Sequence, residues 1–267
     1  IRINADASQV QREMKKAEGA ARRFWDVVKK IGVGMGIYFG WRILGQGVIT
    51  AIQDFAKFEY AMKSVQAVTG GTNEDFTKLS GVMTRLATQS VFTATELAKA
   101  AYYLGSAGWS IKEIEEGMSG VQNLAAATQT GLEETASLIV SVLSGFQMEA
   151  RESGRVADML TSTITKSRAE MGSLASSFKY VGAVSKIANQ DLSTVLATLA
   201  ALYEAGIDGS IAGTSIRNSF EQLAQPTFRA ERMLSALGLT VEDVNPGMHD
   251  FIDIIDTLKT AMEKINI

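Results

Sequence analysis

The chain has 267 residues, 46% of them apolar and 21% charged, which is enough ordinary globular chemistry for a sizeable core. It contains no cysteine, which excludes disulfides, thiol catalysis and cysteine-based zinc sites. A formal net charge of -3 supplies no overall basic stripe for phosphates, so sequence-specific nucleic-acid binding is not expected. Only Pro226 and Pro246 interrupt a chain rich in Ala, Leu, Glu, Lys, Met and Gln, the residues that lose least on entering a helix, and the fold class reads as all-α.

Residues 1–40 carry apolar and small side chains at three-four spacing: Ile3, Ala7, Val10, Met14, Ala17, Ala21, Phe24, Val28, Ile31, Met35 and Tyr38. Such a seam repeats every seven residues and marks a long N-terminal helix suited to a coiled coil, with Val10, Met14, Ala17, Ala21, Phe24, Val28 and Ile31 as the self-association seam. The same seam would also suit a helix laid on its own subunit; a homo-oligomer is the expectation. Basic residues outnumber acidic ones over residues 1–30, a balance that reads as the solvated side of that helix. The chain opens with Ile1 rather than Met and stops after EKINI, so a piece of something longer is expected.

Residues 31–53, IGVGMGIYFGWRILGQGVITAIQ, form an apolar, glycine-rich stretch long enough to span a bilayer and broken by one charge, Arg42. A central arginine costs about 2.5 to 3.5 kcal/mol on the insertion scale, which the aliphatic and aromatic neighbours can offset. Two readings therefore stay open: a membrane-active segment, or a helix buried in an oligomer, where the glycines permit close approach in either solvent.

The third region, residues 54–267, is expected to be a core helical domain. Its first helix runs through Val68 and stops at Gly70-Gly71. Hydroxyl residues followed three places later by glutamate then recur: Thr93 with Glu96, Ser110 with Glu113, Thr130 with Glu133, and Ser167 with Glu170. Each pair predicts a capping box, in which hydroxyl and carboxylate satisfy the free N–H groups of a helix start. Between them lie stripes at helical spacing: Leu97, Ala101, Leu104; Ile114, Met118, Val121, Leu124; and Leu138, Val142, Phe146. The expected architecture is an array of seven to nine short antiparallel helices joined by tight turns. A final amphipathic helix begins after Asn245-Pro246-Gly247 and turns Phe251, Ile254, Ile255, Leu258, Met262 and Ile265 to one side.

Two helix ends echo one another. Leu104, Ala107, Gly108 and Trp109 match Leu202, Ala205, Gly206 and Ile207, which points to one closure used twice: glycine in the left-handed position, then an apolar residue folded back. The second leads into AGIDGSIAGTSIRN, residues 205–218, where glycines precede a Thr-Ser pair. A phosphate loop needs four residues between its glycines, a lysine after the second, and a preceding strand; here three residues separate Gly209 from Gly213, Thr214 replaces the lysine, and a helix precedes. The glycines read instead as packing residues: Gly206 closes a helix, Asp208-Gly209 turns the chain, Ser210 caps the next helix, and Ala212, Gly213, Thr214 and Ser215 form a small-residue face for a helix crossing. His249 is the single histidine and no G-x-S-x-G accompanies it; Ser176 and Lys179 lack the companion motifs of serine-lysine enzymes. Glu115-Glu116 and Glu133-Glu134 point apart along helices, where they complement the dipole. No catalytic, cofactor-binding or metal-ligating set is expected.

From FEYAMKSVQAVTGGTNEDFTKL through ATELAKAAYYLGSAGWSIKEI, LAAATQTGLEETA, VADMLTSTITKS and LATLAALYEAGIDGSIAGTSIRNSFEQL to ALGLTVEDV, residues 55–260 resemble the core region of bacteriophage tail tape measure proteins, the minor tail protein family. The resemblance implies a virion protein in the lumen of the tail tube that sets tail length through its complete chain and leaves during infection to assist DNA entry. The implied partners are the tail tube protein, tail assembly chaperones and the tail tip or baseplate hub. The implied locations are the phage tail, the host cytoplasm during assembly and the host envelope on infection. The alternative function, read from the apolar stretch itself, is a membrane-active helical module that inserts through residues 31–53 during host envelope penetration. Ala107, Gly108, Ala205, Gly206, Asp208, Gly209, Gly213 and Thr214 are the motif residues expected to shape helix packing.

Overall fold

The computed structural model describes residues 37–207 and 209–264, which form eleven α-helices and two 3-10 turns with no strand among them. The heptad seam from Val10 to Ile31 lies outside the described residues, as do residues 32–36 and Asp208. Two compact units are present, Ile1–Phe55 and Ala56–Ile267, and the boundary falls within helix α1 (Ile37–Thr69). Among the described residues, no helix is long and apolar enough to cross a membrane. Although α1 has 33 residues, Arg42 is followed along it by Asp54, Lys57, Glu59 and Lys63.

Beyond Gly70 follow α2 (Asn73–Thr88), α3 (Ala94–Ser106), α4 (Ile111–Thr128), α5 (Leu132–Phe146), α6 (Ser153–Lys166), α7 (Met171–Ile187), α8 (Leu192–Glu204), α9 (Gly209–Ala224), α10 (Phe228–Ala236) and α11 (Phe251–Lys264). These are ten helices rather than seven to nine; Pro226 helps divide the stretch from Gly209 to Ala236 in two, because it cannot donate the hydrogen bond a continuous helix would need. From α3 onward the principal packing skips one element. Helix α3 packs on α5, α4 on α6, α5 on α7, α6 on α8, and α7 on α9, while α2 packs on α3 and, less extensively, on α4. Even-numbered and odd-numbered helices thus form two rows, each helix buried chiefly by its close neighbours in sequence, as in quasi-one-dimensional helical arrays.

The stripes read from the sequence are the buried ones: Leu97, Ala101 and Leu104 of α3, Ile114, Met118, Val121 and Leu124 of α4, and Leu138, Val142 and Phe146 of α5. They join a single core running from Ala61 to Phe251. A second, small cluster of Leu234, Val244 and Ile254 sits under the C-terminal helices. In α11 the buried face is Phe251, Ile254 and Ala261, while Ile255 and Met262 are exposed.

Two of the four anticipated capping boxes form. The Thr93 hydroxyl accepts from the Glu96 N–H at 3.2 Å while the Glu96 carboxylate accepts from the Thr93 N–H at 2.8 Å, and Ser110 with Glu113 repeats this at 3.3 and 2.8 Å. The other two do not. Helix α5 is preceded by Gly131, leaving the Thr130 hydroxyl on Thr128 and Thr135, and α7 is preceded by Glu170, leaving the Ser167 hydroxyl donating to the Thr163 carbonyl at 2.8 Å. Aspartate completes two boxes that a search for glutamate passes over, Thr72 with Asp75 and Thr240 with Asp243.

The helix closure seen twice in the sequence is used six times among the described residues. The N–H groups of Trp109, Thr130, Met148, Gln190, Ile207 and Leu239 donate to the carbonyls of Leu104, Ala125, Leu143, Ser185, Leu202 and Leu234, each five residues back. The left-handed residue is glycine at 108, 206 and 238, with φ of 98°, 80° and 74°, but Gln129, Gln147 and Asn189 take the same conformation with φ of 55°, 54° and 52°. Glycine bears this geometry without strain, asparagine tolerates it, and the two glutamines are exposed.

Candidate functional site at the helix crossings

The segment 205–218 begins with the glycine closure of α8. Gly206 donates to the Tyr203 carbonyl at 3.0 Å, Ile207 to that of Leu202 at 2.9 Å, and Ala205 and Gly206 are both exposed. Ala107 and Gly108 close α3 in the same exposed manner. Helix α9 starts at Gly209, two residues earlier than a Ser210 cap requires, so Ser210 lies inside the first turn. Ala212 and Gly213 are buried and Thr214 half-buried, but Ser215 is exposed; the inward face continues instead through Ile216 and Phe220, one helical turn at a time.

Gly213 is where α9 meets α7. A Cβ added there would lie 2.7 Å from the Ser177 Cα and 3.0 Å from its carbonyl carbon, both backbone atoms of a packed helix. Ser177 is fully buried, its hydroxyl 2.8 Å from that of Tyr203 and donating to the Gly209 carbonyl at 2.5 Å. One serine therefore ties together α7, the end of α8 and the start of α9. Its neighbours Ser176 and Lys179 take no part: Ser176 is half-buried and Lys179 exposed.

Two further crossings repeat the device. Between α4 and α6, a Cβ on Gly120 would stand 2.6 Å from the Ser153 carbonyl oxygen, and the buried Ser153 hydroxyl donates to the Gly117 carbonyl at 2.9 Å. Between α5 and α7, a Cβ on Gly145 would stand 3.0 Å from the Gly182 Cα. Backbones this close gain dispersion contact along their whole approach, which larger side chains would forbid. Sequence reasoning missed Ser153, Ser177, Gly120, Gly145 and Gly182, since a crossing between helices dozens of residues apart leaves no local signature.

Among the described residues, no ion pair or side-chain hydrogen bond brings a cation to the start of α9. Arg217, the nearest in sequence, lies 3.7 Å from Glu221 and 3.4 Å from the Asn218 side chain, further along the helix. His249 is exposed and contributes its backbone carbonyl to the Gln190 amide at 2.9 Å. Among the described residues no group of three or more His, Asp or Glu side chains is arranged to hold a metal. The perturbed carboxylates are those of the helix caps. Hydrogen bonds from the backbone and hydroxyl of Thr93 lower the Glu96 pKa, and those from the hydroxyl and backbone of Ser110 lower that of Glu113. Of the motif residues, Gly213 lies in a close helix crossing, whereas Ala107, Gly108, Ala205 and Gly206 lie at exposed helix ends.

The family described as phage-related minor tail protein matches residues 80–266. A tape measure protein of Pneumococcus phage Dp-1 is 31% identical over 230 residues, 82% of this chain and 20% of that protein. A probable tape measure protein of Escherichia phage P2 is 23% identical over 264 residues, 99% of this chain and 32% of that protein. The chain thus spans a third or less of the length of these relatives. No solved structure matches it. With the match covering every element from α3 to α11, the chain belongs to the phage-related minor tail protein family and is a phage tail tape measure protein sequence.

Proposed function

We propose that this chain is part of a tape measure protein that occupies the lumen of the tail tube, contributes to templating tail length through the complete chain, and is released to assist DNA entry. The similarity over most of its length to a tape measure protein carries this reading. The helical array, with its close crossings at Gly120, Gly145 and Gly213, is compatible with it. In this reading the partners are the tail tube protein, the tail assembly chaperones and the tail tip or baseplate hub.

The test is electron cryomicroscopy of intact and DNA-emptied particles whose complete protein carries a rigid tag at Gly154, where an added side chain meets nothing within 4 Å. Tag density inside the tube before ejection and absent afterwards is the expected result. Density on the outer face of the tail, or retained in the tube after ejection, overturns it.

The seam Val10, Met14, Ala17, Ala21, Phe24, Val28 and Ile31 belongs to the same reading as the means of self-association. Light scattering on the 267-residue chain should give an oligomer that charged substitutions at Val10, Met14 and Phe24 reduce to monomer. A monomer at high concentration before any substitution removes that part of the reading.

A further inference from the structure

We infer that residues 228–264 form a module that opens independently of the helical array and is latched to it by the side chain of Gln190. The row-wise packing that reaches α9 does not continue beyond it. Helix α11 packs instead on α8 and on the 3-10 turn Glu242–Val244. The module hangs from α9 by residues 225–227, which include Pro226, and its own core is thin: Leu234, Val244 and Ile254, flanked by Leu239 and Leu258 and, from α9, by Leu223. Few buried apolar contacts per residue place a segment at the low end of local stability.

Most of the polar contacts that hold this module to the array gather on one residue. Gln190 is 4% exposed. Its amide Nε2 donates to the carbonyls of Pro246 at 2.6 Å and His249 at 2.9 Å, with Ala188 of its own loop at 3.1 Å. Its Oε1 accepts from the Phe251 N–H at 2.8 Å, satisfying the first free donor of α11 from another element. The left-handed Asn189 aims it there, and the Gln190 N–H closes α7 on Ser185 at 2.8 Å. Beside it the Thr194 hydroxyl donates to Asp250, whose other oxygen accepts from the Ile252 N–H at 2.8 Å, and Phe251 meets Phe220 edge-on with ring centres 4.9 Å apart. A carboxamide presents two N–H donors and a carbonyl acceptor on one planar group. Glutamate would keep the acceptor and lose the donors; methionine would keep the volume and lose both.

The inference stands on these contacts alone and does not depend on the role proposed for the tail. Native-state hydrogen exchange on the 267-residue chain tests it. In the unsubstituted protein, residues 228–264 should exchange through an opening of lower free energy than residues 94–224. Gln190→Met should speed exchange in residues 246–264 by roughly tenfold or more, because buried carbonyls and an N–H lose their partners, while residues 94–224 keep their rates. Gln190→Glu should fall between the two. A single shared opening for both regions in the unsubstituted chain overturns the inference, and so does equal acceleration of both by Gln190→Met.

Discussion

Gly145 and Gly182 face one another across the crossing of α5 and α7, yet their environments differ in a way that predicts opposite consequences. A Cβ on Gly182 would meet the Gly145 Cα at 3.5 Å and the Ser141 carbonyl at 3.9 Å, which is ordinary contact. A Cβ on Gly145 would press on the Gly182 backbone at 3.0 and 3.1 Å, atoms that cannot swing aside. Gly182→Ala should therefore stabilise, by up to about 1 kcal/mol, because alanine loses less backbone entropy in a helix. Gly145→Ala should destabilise, and a rise in melting temperature for both would contradict the geometry. Gly213→Leu belongs with Gly145→Ala but is more severe: overpacking against the Ser177 backbone should cost about 1 to 3 kcal/mol or more, read as a lower denaturant midpoint with unchanged slope. An unchanged midpoint would mean that α9 can move off α7 freely. Of this crossing, the small residue at 213 is legible in AGIDGSIAGTSIRN. Its counterpart is not, since nothing near Ser177 in the sequence distinguishes it from Ser176.

Helix starts are the most local features of the fold, and they are the ones read best. A hydroxyl residue with glutamate three places on is a complete physical argument at Thr93 and Ser110, where both reciprocal hydrogen bonds form. It fails at Thr130 because Gly131, with no side chain, takes the cap position, and at Ser167 because the preceding helix still holds its hydroxyl. The boxes also make stability depend on pH. Hydrogen bonds to the charged form lower the pKa of Glu113, so folding favours its carboxylate; that contribution is fully present above the unfolded-state pKa and is lost as pH falls through the lower folded value. Ser110→Ala should cost about 0.5 to 2 kcal/mol at neutral pH. Glu113→Gln can still accept from the Ser110 N–H but no longer titrates. Its deficit relative to the unsubstituted chain should shrink as pH drops from neutral to 3, measured as the difference in melting temperature. A deficit that stays constant over that range would show that the carboxylate's charge contributes nothing. Helix ends were harder to read than starts: Gln129, Gln147 and Asn189 close helices where a search for glycine sees no stop.

At the scale of the whole molecule, periodicity tells which face of a helix is buried but not which helix buries it, and so the two-row packing of alternate helices was not legible. That packing decides where the folding unit begins. The family match starts at residue 80, inside α2, but the core does not. Met62 and Val65 of α1 and Leu79 of α2 are each at most 1% exposed, and a Cβ on Gly105 of α3 would lie 2.8 Å from the Thr69 side chain and 3.0 Å from that of Val68. Full burial of such side chains is worth about 1.5 to 3 kcal/mol apiece as an upper estimate. Losing three of them, with half of α2, removes an amount comparable with the roughly 5 to 15 kcal/mol that stabilises a typical domain. A fragment of residues 56–267 retains all of these contacts, and its array should melt in a cooperative helical transition. A fragment of residues 80–267 covers the whole family match yet exposes the face of α3 that α1 and α2 cover. It should melt at markedly lower temperature or without a cooperative transition, and bind a dye specific for exposed apolar surface. Equal melting temperatures for the two fragments would show that α1 decorates the array; the predicted difference would show that the end of α1 is the first layer of its core.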